Sequence, residues 1–253
     1  MEENAVVERM MQRKSIRRYT DQAPSDEVLE TIVRAGQQAP FAYQTGSLLL
    51  SRDPEKNPFH APLYFIVLVD AHRMERVMAR RNWELVTNDL SLLVFGIQDA
   101  TLMAENMVIA AESLGLGSCF LGGAPYQAKN IIKKYNLPSR VFPLVGLTMG
   151  YPAEDPPPRP RYPLEFTLFE DGYPEMTDEM VERAMAVMDE GYLAQEYYRR
   201  AGYQIPLQGD REETFTFADY GWTEHISRKL GQWLPSLEDM LEPLAACGFH
   251  VAP

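Results

Sequence analysis

The sequence predicts an α+β chain in which helices and strands share a core. Three observations carry that class. Short aliphatic and β-branched runs bounded by breakers, "SLLLS", "PLYFIVLVD" and "FPLVGLTMGYP", have the length and composition of strands. Other segments place apolar residues at helical spacing between recognisable caps. The chain has 253 residues, 45% of them apolar, which suffices for one large core or two small ones.

In chain order, the first dozen residues read as a helix that leads into "QRKSIRRYT". The stretch "PSDEVLETIVRAG" has Ser25 as N-cap, acids in its first turn, one stripe of Val28, Leu29, Ile32 and Val33, and Gly36 as the expected end. Two strands follow, then a surface helix at "AHRMERVMARR". Residues 99–117, "DATLMAENMVIAAESLGLG", are apolar nearly all round, as a helix buried in a core or an interface would be. "SCFLGG" is a strand ending in a glycine pair, "QAKNIIKKYNLP" a short helix, and "FPLVGLTMGYP" a buried strand. The proline-rich "PAEDPPPRPRYP" must be an extended loop. Beyond it, "MTDEMVERAMAVMDEGYLAQEYYRRAG" and "TEHISRKLGQWLPSLEDMLEPLAACGF" are helical, with a polar, irregular segment between them. These two stretches are too little for an independent core. The expected organisation is therefore one domain over 1–253, with 174–253 a helical extension wrapping the main body or a partner subunit.

Charge narrows the function classes. The net charge of −12 disfavours non-specific nucleic-acid binding, which needs a basic face. The start of the chain lacks the pattern of a signal peptide, and the longest apolar run, 61–69, is too short for a membrane span. Cys119 and Cys247 form no metal-like cluster, so a cytoplasmic chain without a structural disulfide is expected. No P-loop, HExxH, paired CxxC or GxSxG is present. "GLGSCFLGG" has its glycines in the wrong order for a dinucleotide fingerprint, which needs strand, glycines, then helix.

Against this acidic background two basic clusters stand out. Arg13, Lys14, Arg17 and Arg18 crowd around Ser15, and Arg159 and Arg161 lie two apart in the extended loop. Each can be a solvated edge. Together they can converge on one phosphate, for which arginine forks are suited. The pair Gly122–Gly123 is either a turn or a place where backbone approaches a flat ligand closely.

In order along the chain, "RKSIRRY", "AGQQAPFAYQ", "AENMVIAAESLGLGSCFLGG" and "NLPSRVFPLVGLTMGYPAEDPPPRPRYPLEF" resemble the FMN-dependent nitroreductase family. "RPRYPLE" and "LAQEYYRRAG" look most like its NADPH-dependent, oxygen-insensitive nitroreductases and flavin reductases. The resemblance implies an α+β nitroreductase-like fold, with a central, mostly antiparallel sheet wrapped by helices, in an intertwined homodimer. Two FMN sites would lie at the dimer interface. The segment Arg13, Lys14, Ser15 and Arg17 would then hold the phosphate, the ribityl chain and the N1–O2 edge of the flavin. Arg159 and Arg161 would reach the phosphate, and Gly122 and Gly123 would lie near N5. The loop containing Pro40, Phe41 and Gln44 would come from the other subunit.

The resemblance also implies a reaction. A nicotinamide donor, NADH or NADPH, passes hydride to the flavin and leaves. An electron-poor acceptor such as a nitroaromatic, a quinone or a flavin then takes the electrons, which is ping-pong behaviour. No catalytic side chain is expected, because the cofactor carries the chemistry. Three features depart from the subgroup. "GGAPYQ" lacks the usual basic residue after the glycines, and 52–61 is short. The arginines for an NADPH 2′-phosphate are not clearly placed, with Arg199, Arg200 and Arg211 as candidates and Glu212 and Glu213 expected to repel that phosphate. A flavin-binding storage or sensor protein, or a specialised reductase or dehalogenase, is the alternative.

Overall fold

The computed structural model describes residues 4–232 and 235–251. Two compact units emerge. The first comprises the described residues up to Pro156 together with those from Ser236 onward, and the second comprises those from Pro157 to Pro235.

The first unit begins with α1 (Ala5–Met11), α2 (Asp26–Gln37), β1 (Gly46–Ser51), β2 (Leu63–Asp70) and α3 (Ala71–Ala79). It continues with α4 (Asp89–Ser113), β3 (Gly117–Leu121), α5 (Ala128–Tyr135) and β4 (Val141–Gly150). The sheet has the order β1-β2-β4-β3, with every neighbouring pair antiparallel. β2 is central, and its alternation sorts side chains to two faces. Phe65, Val67 and Val69 join the main core around α4, whereas Ile66 and Leu68 join a smaller cluster with Ile131 and Val141. Burial on both faces explains why the strand reads as one continuous apolar run. The register slips between Val67 and Leu68, so that Leu68 faces Pro143. A bulge there accommodates a residue that has no N–H to give to the ladder.

Local sequence explains the helix starts. The Ser25 hydroxyl accepts the Val28 N–H at 3.2 Å, and the Asn88 side chain accepts the Ser91 N–H at 2.9 Å. α2 does not stop at Gly36 but runs to Gln37. Gly36 is there for packing: a Cβ would lie 2.5 Å from Cγ of Met107 on α4. α4 starts ten residues before the expected Asp99. It is long and apolar enough to cross a membrane, yet half of that window is buried inside the protein.

The second unit contains α6 (Asp178–Ala194), α7 (Tyr197–Ala201) and α8 (Trp222–Gln232). Its interior is aromatic. The Tyr198 ring stacks on His225 at 4.5 Å and on Tyr192 at 5.7 Å, and Tyr220 is fully buried. Arg228, 3% exposed, binds Glu213 at 2.6 and 2.7 Å, Glu224 at 2.7 Å and the Ile205 carbonyl at 2.9 Å. That network anchors the polar segment between α7 and α8.

Of the stretch 174–253, the part up to Pro235 lies in the second unit. α9 (Glu238–Ala246) lies in the first and packs on α5. Arg140 ties the tail there: its N–H donates to Cys247 O and its Nη1 to Gly248 O, both at 2.7 Å. Residues 1–3 of the expected first helix, and Trp233 and Leu234 of the last helical stretch, lie outside the described residues.

Candidate functional site

The basic segment is docked on the edge strand β3. Ser15 bridges Ser118, and the Ile16 N–H donates to Ser118 O at 2.8 Å. Ile16 presses against Gly117, where a Cβ would lie 2.4 Å from Cγ1 of the isoleucine, so only glycine permits the approach. From the other side, the Tyr19 hydroxyl donates to Ile16 O at 2.6 Å and meets Thr148 Oγ1 at 2.9 Å. Burial pushes the Tyr19 phenol well above its ordinary pKa, despite the Thr148 hydrogen bond, so it stays protonated as a donor.

Glu154 shapes the turn between the cations. Its Oε1 accepts the Arg17 N–H at 2.5 Å and the Arg18 N–H at 3.1 Å, and its Oε2 meets Arg18 Nε at 3.1 Å. Burial opposes its ionisation, but these donors outweigh burial and hold the carboxyl below its ordinary value. Lys14 is paired with Asp155. Arg13 and Arg17 have no carboxylate within ion-pair distance among the described residues. The Arg13 guanidinium lies 5.6 Å from the centroid of the Phe120 ring, on β3. The structure therefore gathers Arg13, Ser15 and the end of β3, where Gly122 and Gly123 follow.

Both glycines are exposed, and a Cβ on either would meet nothing within 4 Å. They border an open cavity of about 450 Å³ that also contains Lys56, Tyr64, Lys134 and Tyr135. Lys56 comes from the shortened 52–61 segment, so that segment still reaches the glycine pair. A motif reading did not find it.

The third group lies elsewhere. Pro40, Phe41 and Gln44 line a cavity of about 470 Å³ beside β1, the opposite edge of the sheet from β3. Within one chain, the two groups are not brought together across that sheet. Phe41 is 56% exposed, and Gln44 has a left-handed backbone with φ 56°. Asp99, from the interior of α4, binds this loop. The one available signal was an acid in the middle of an apolar stretch, between Ile97 and Leu102.

Arg159 and Arg161 are in the second unit. Arg159 donates to Gln195 Oε1 at 2.5 Å and lies 4.1 Å over the Tyr197 ring. Arg161 donates only to the carbonyls of Arg159 and Pro160, each at 3.0 Å. The expected NADPH-phosphate arginines are partly engaged, since Arg199 and Arg200 both pair with Glu196. Glu213 is not the free repelling charge that its sequence neighbourhood implies, because Arg228 compensates it.

The β3 edge thus has the Arg13–Arg17 segment docked along it and an exposed glycine pair at its end. Comparison with known proteins identifies the family. The profile of the nitroreductase family matches residues 10–52 and 52–151, more than half of the chain. The protein named FMN reductase (NADPH) from Bacillus subtilis (strain 168) is 29% identical over 229 residues, 84% of this chain and 89% of that one. The oxygen-insensitive NADPH nitroreductase of Salmonella typhimurium (strain LT2) is 28% identical over 238 residues, 88% of this chain and 90% of that one. The solved structure of B. megaterium NfrA2 superposes with a TM-score of 0.82 at 27% identity, covering 99% of this chain and 100% of that one. The chain belongs to the nitroreductase family.

Proposed function

We propose that this protein is an FMN-dependent oxidoreductase that takes electrons from NADH or NADPH and passes them to a small electron-poor acceptor. Family membership and relatives named as FMN reductase and NADPH nitroreductase support the NAD(P)H-dependent flavin enzyme. The residues fit the cofactor. Among the described residues Arg13, Arg17, Arg159 and Arg161 have no carboxylate within ion-pair distance, so their forks remain for a phosphate. Gly122 and Gly123 leave room for a ring against backbone.

When bound, FMN supplies hydride acceptance and donation. The chain's residues orient and stabilise. Arg13, Ser15 and Arg17 would hold the phosphate and ribityl side from the β3 edge, and Arg17 would add positive charge beside the ring. Arg159 and Arg161, in the second unit, offer two further forks suited to a phosphate. Lys14, tied to Asp155, steadies the segment. Gly122 and Gly123 would leave the ring open on their side. Donor and acceptor would bind there in turn, a ping-pong order. Nitroaromatics, quinones and free flavin fit such a face.

The observation that carries the reading furthest is the separation of the two groups. Arg13, Ser15 and Gly122 lie by one sheet edge, and Pro40, Phe41 and Gln44 by the other. A homodimer that apposes one edge to the partner's opposite edge makes two complete sites. Phe41, Leu90, Val94 and Phe95 are exposed apolar side chains on the loop and on α4, as such an interface requires. The test is the purified, flavin-loaded protein. Chromophore released by heat should co-elute with FMN, one per chain, from a particle of twice 28.9 kDa. Recovered FAD, or a stable flavin-loaded monomer, would contradict it.

A further inference from the structure

The loop that enters β1 is gripped from two sides by opposite charges. Asp99 on α4 is 4% exposed. Its Oδ1 accepts the Ala42 N–H at 2.6 Å. Its Oδ2 accepts the Tyr43 N–H at 3.0 Å, the Thr45 N–H at 3.0 Å and the Thr45 hydroxyl at 3.1 Å. Arg73 on α3 answers from the other side. Its Nη2 donates to the Gln44 carbonyl at 3.2 Å and the Gly46 carbonyl at 2.6 Å, while Asp70 holds its Nε at 3.0 Å. The carboxylate takes the loop's N–H groups and the guanidinium takes its carbonyls.

Gln44 sits between these grips at φ 56°. A non-glycine residue persists in that region only where its surroundings over-determine the backbone. Here they do so next to the cavity that Pro40, Phe41 and Gln44 line together with Arg73 and Asp99. We propose that Asp99, assisted by Arg73, is a positioning residue that fixes Pro40, Phe41 and Gln44 in the geometry that meets the flavin. This rests on assigning that loop to the flavin site.

Asp99→Asn is the sharpest test. It keeps the shape but puts an amide NH2 where an oxygen now faces N–H donors, leaving buried donors unpaired. The loop must rearrange to satisfy them. Three measurements on wild type and variant separate a positioning role from a merely structural one: FMN affinity by fluorescence quenching, the visible circular dichroism of the bound flavin, and far-ultraviolet circular dichroism. The expected result is at least tenfold weaker FMN binding and an altered visible band, with secondary structure unchanged. Arg73→Met covers the case in which Asp99→Asn does not fold, because the Arg73 side chain is 53% exposed and its loss leaves the core intact. It should change the visible band in the same direction and weaken FMN roughly threefold or more. Folded variants with wild-type affinity and band would overturn the positioning role, and Arg73→Met alone decides if the other variant fails to fold. A wild-type chain that takes up no FMN would overturn the flavin reading, and the positioning role with it.

Discussion

Arg159 and Arg161 stand two apart in one extended loop but are held differently. Arg159 is built into its unit through Tyr197 and Gln195, whereas Arg161 touches only neighbouring carbonyls. Arg161→Ala should therefore leave stability unchanged and weaken FMN binding by about 1.5–3 kcal/mol, the worth of a charge-assisted bond. Equilibrium titration with FMN checks this, and unchanged affinity would remove Arg161 from the phosphate site. Glu213 makes a different prediction. Its hydrogen bonds to Arg228 lower its carboxyl from the ordinary 4.5 to about 2. A depressed carboxyl contributes stability above its unfolded value, and that contribution fades as pH falls from 4.5 to about 2. Glu213→Gln should be less stable than wild type at neutral pH, and the gap should close across that window in urea denaturation. A gap independent of pH would mean the carboxylate is not what matters. At this scale the arginine clusters and the glycine pair were visible as candidates in the letters themselves. Asp99 was not, since its partners at 42–45 are far away in sequence and only the fold brings them near. Glu213 was misread because its partner, Arg228, is likewise distant.

The strands were legible as elements because each is a short apolar run between breakers, and β2, buried on both faces, is the plainest. The first ten residues of α4 were not. "DLSLLVFGIQ" has no single apolar stripe and contains Gly96, which reads as a breaker. Packing overrides that signal: a Cβ on Gly96 would lie 2.5 Å from Cγ1 of the buried Val69 and 3.2 Å from Thr45 Oγ1. Glycine is there so that α4 can approach β2. Gly96→Ala should cost about 1–3 kcal/mol through overpacking, in spite of alanine's better helix propensity. Gly36→Ala should cost a similar amount, because its Cβ would meet Cγ of the buried Met107 at 2.5 Å and the Met103 carbonyl oxygen at 3.1 Å. Chemical denaturation of the two variants measures both costs, and a Gly96→Ala protein as stable as wild type would refute the close-packing account. The part of this helix from Asp99 onward was expected to be buried in a core or an interface. Leu102 in that part, and Leu90, Val94, Phe95 and Ile97 in the turns before it, are exposed in the single chain.

For the whole molecule, a chain of net charge −12 keeps Arg13 and Arg17 without a carboxylate partner among the described residues, as the proposed anion-binding role of the basic segment requires. The α+β class and the antiparallel sheet were readable from runs, caps and the family resemblance. The division into two compact units was not, because α9 returns to the first unit by packing on α5, and Gly248 and His250 after it bind Arg140 and Asp89, which no local pattern announces. The central claim is that the chain binds FMN to move electrons from a nicotinamide donor, rather than to store or sense the flavin. The most direct measurement is anaerobic titration of the flavin-loaded protein with NADPH and, separately, NADH, following the visible absorbance of the oxidised flavin. The account predicts that at least one donor bleaches the band with one equivalent per flavin, and that a quinone added afterwards restores it. A band that neither donor bleaches, in protein that demonstrably holds FMN, would contradict the account and leave a flavin carrier in its place.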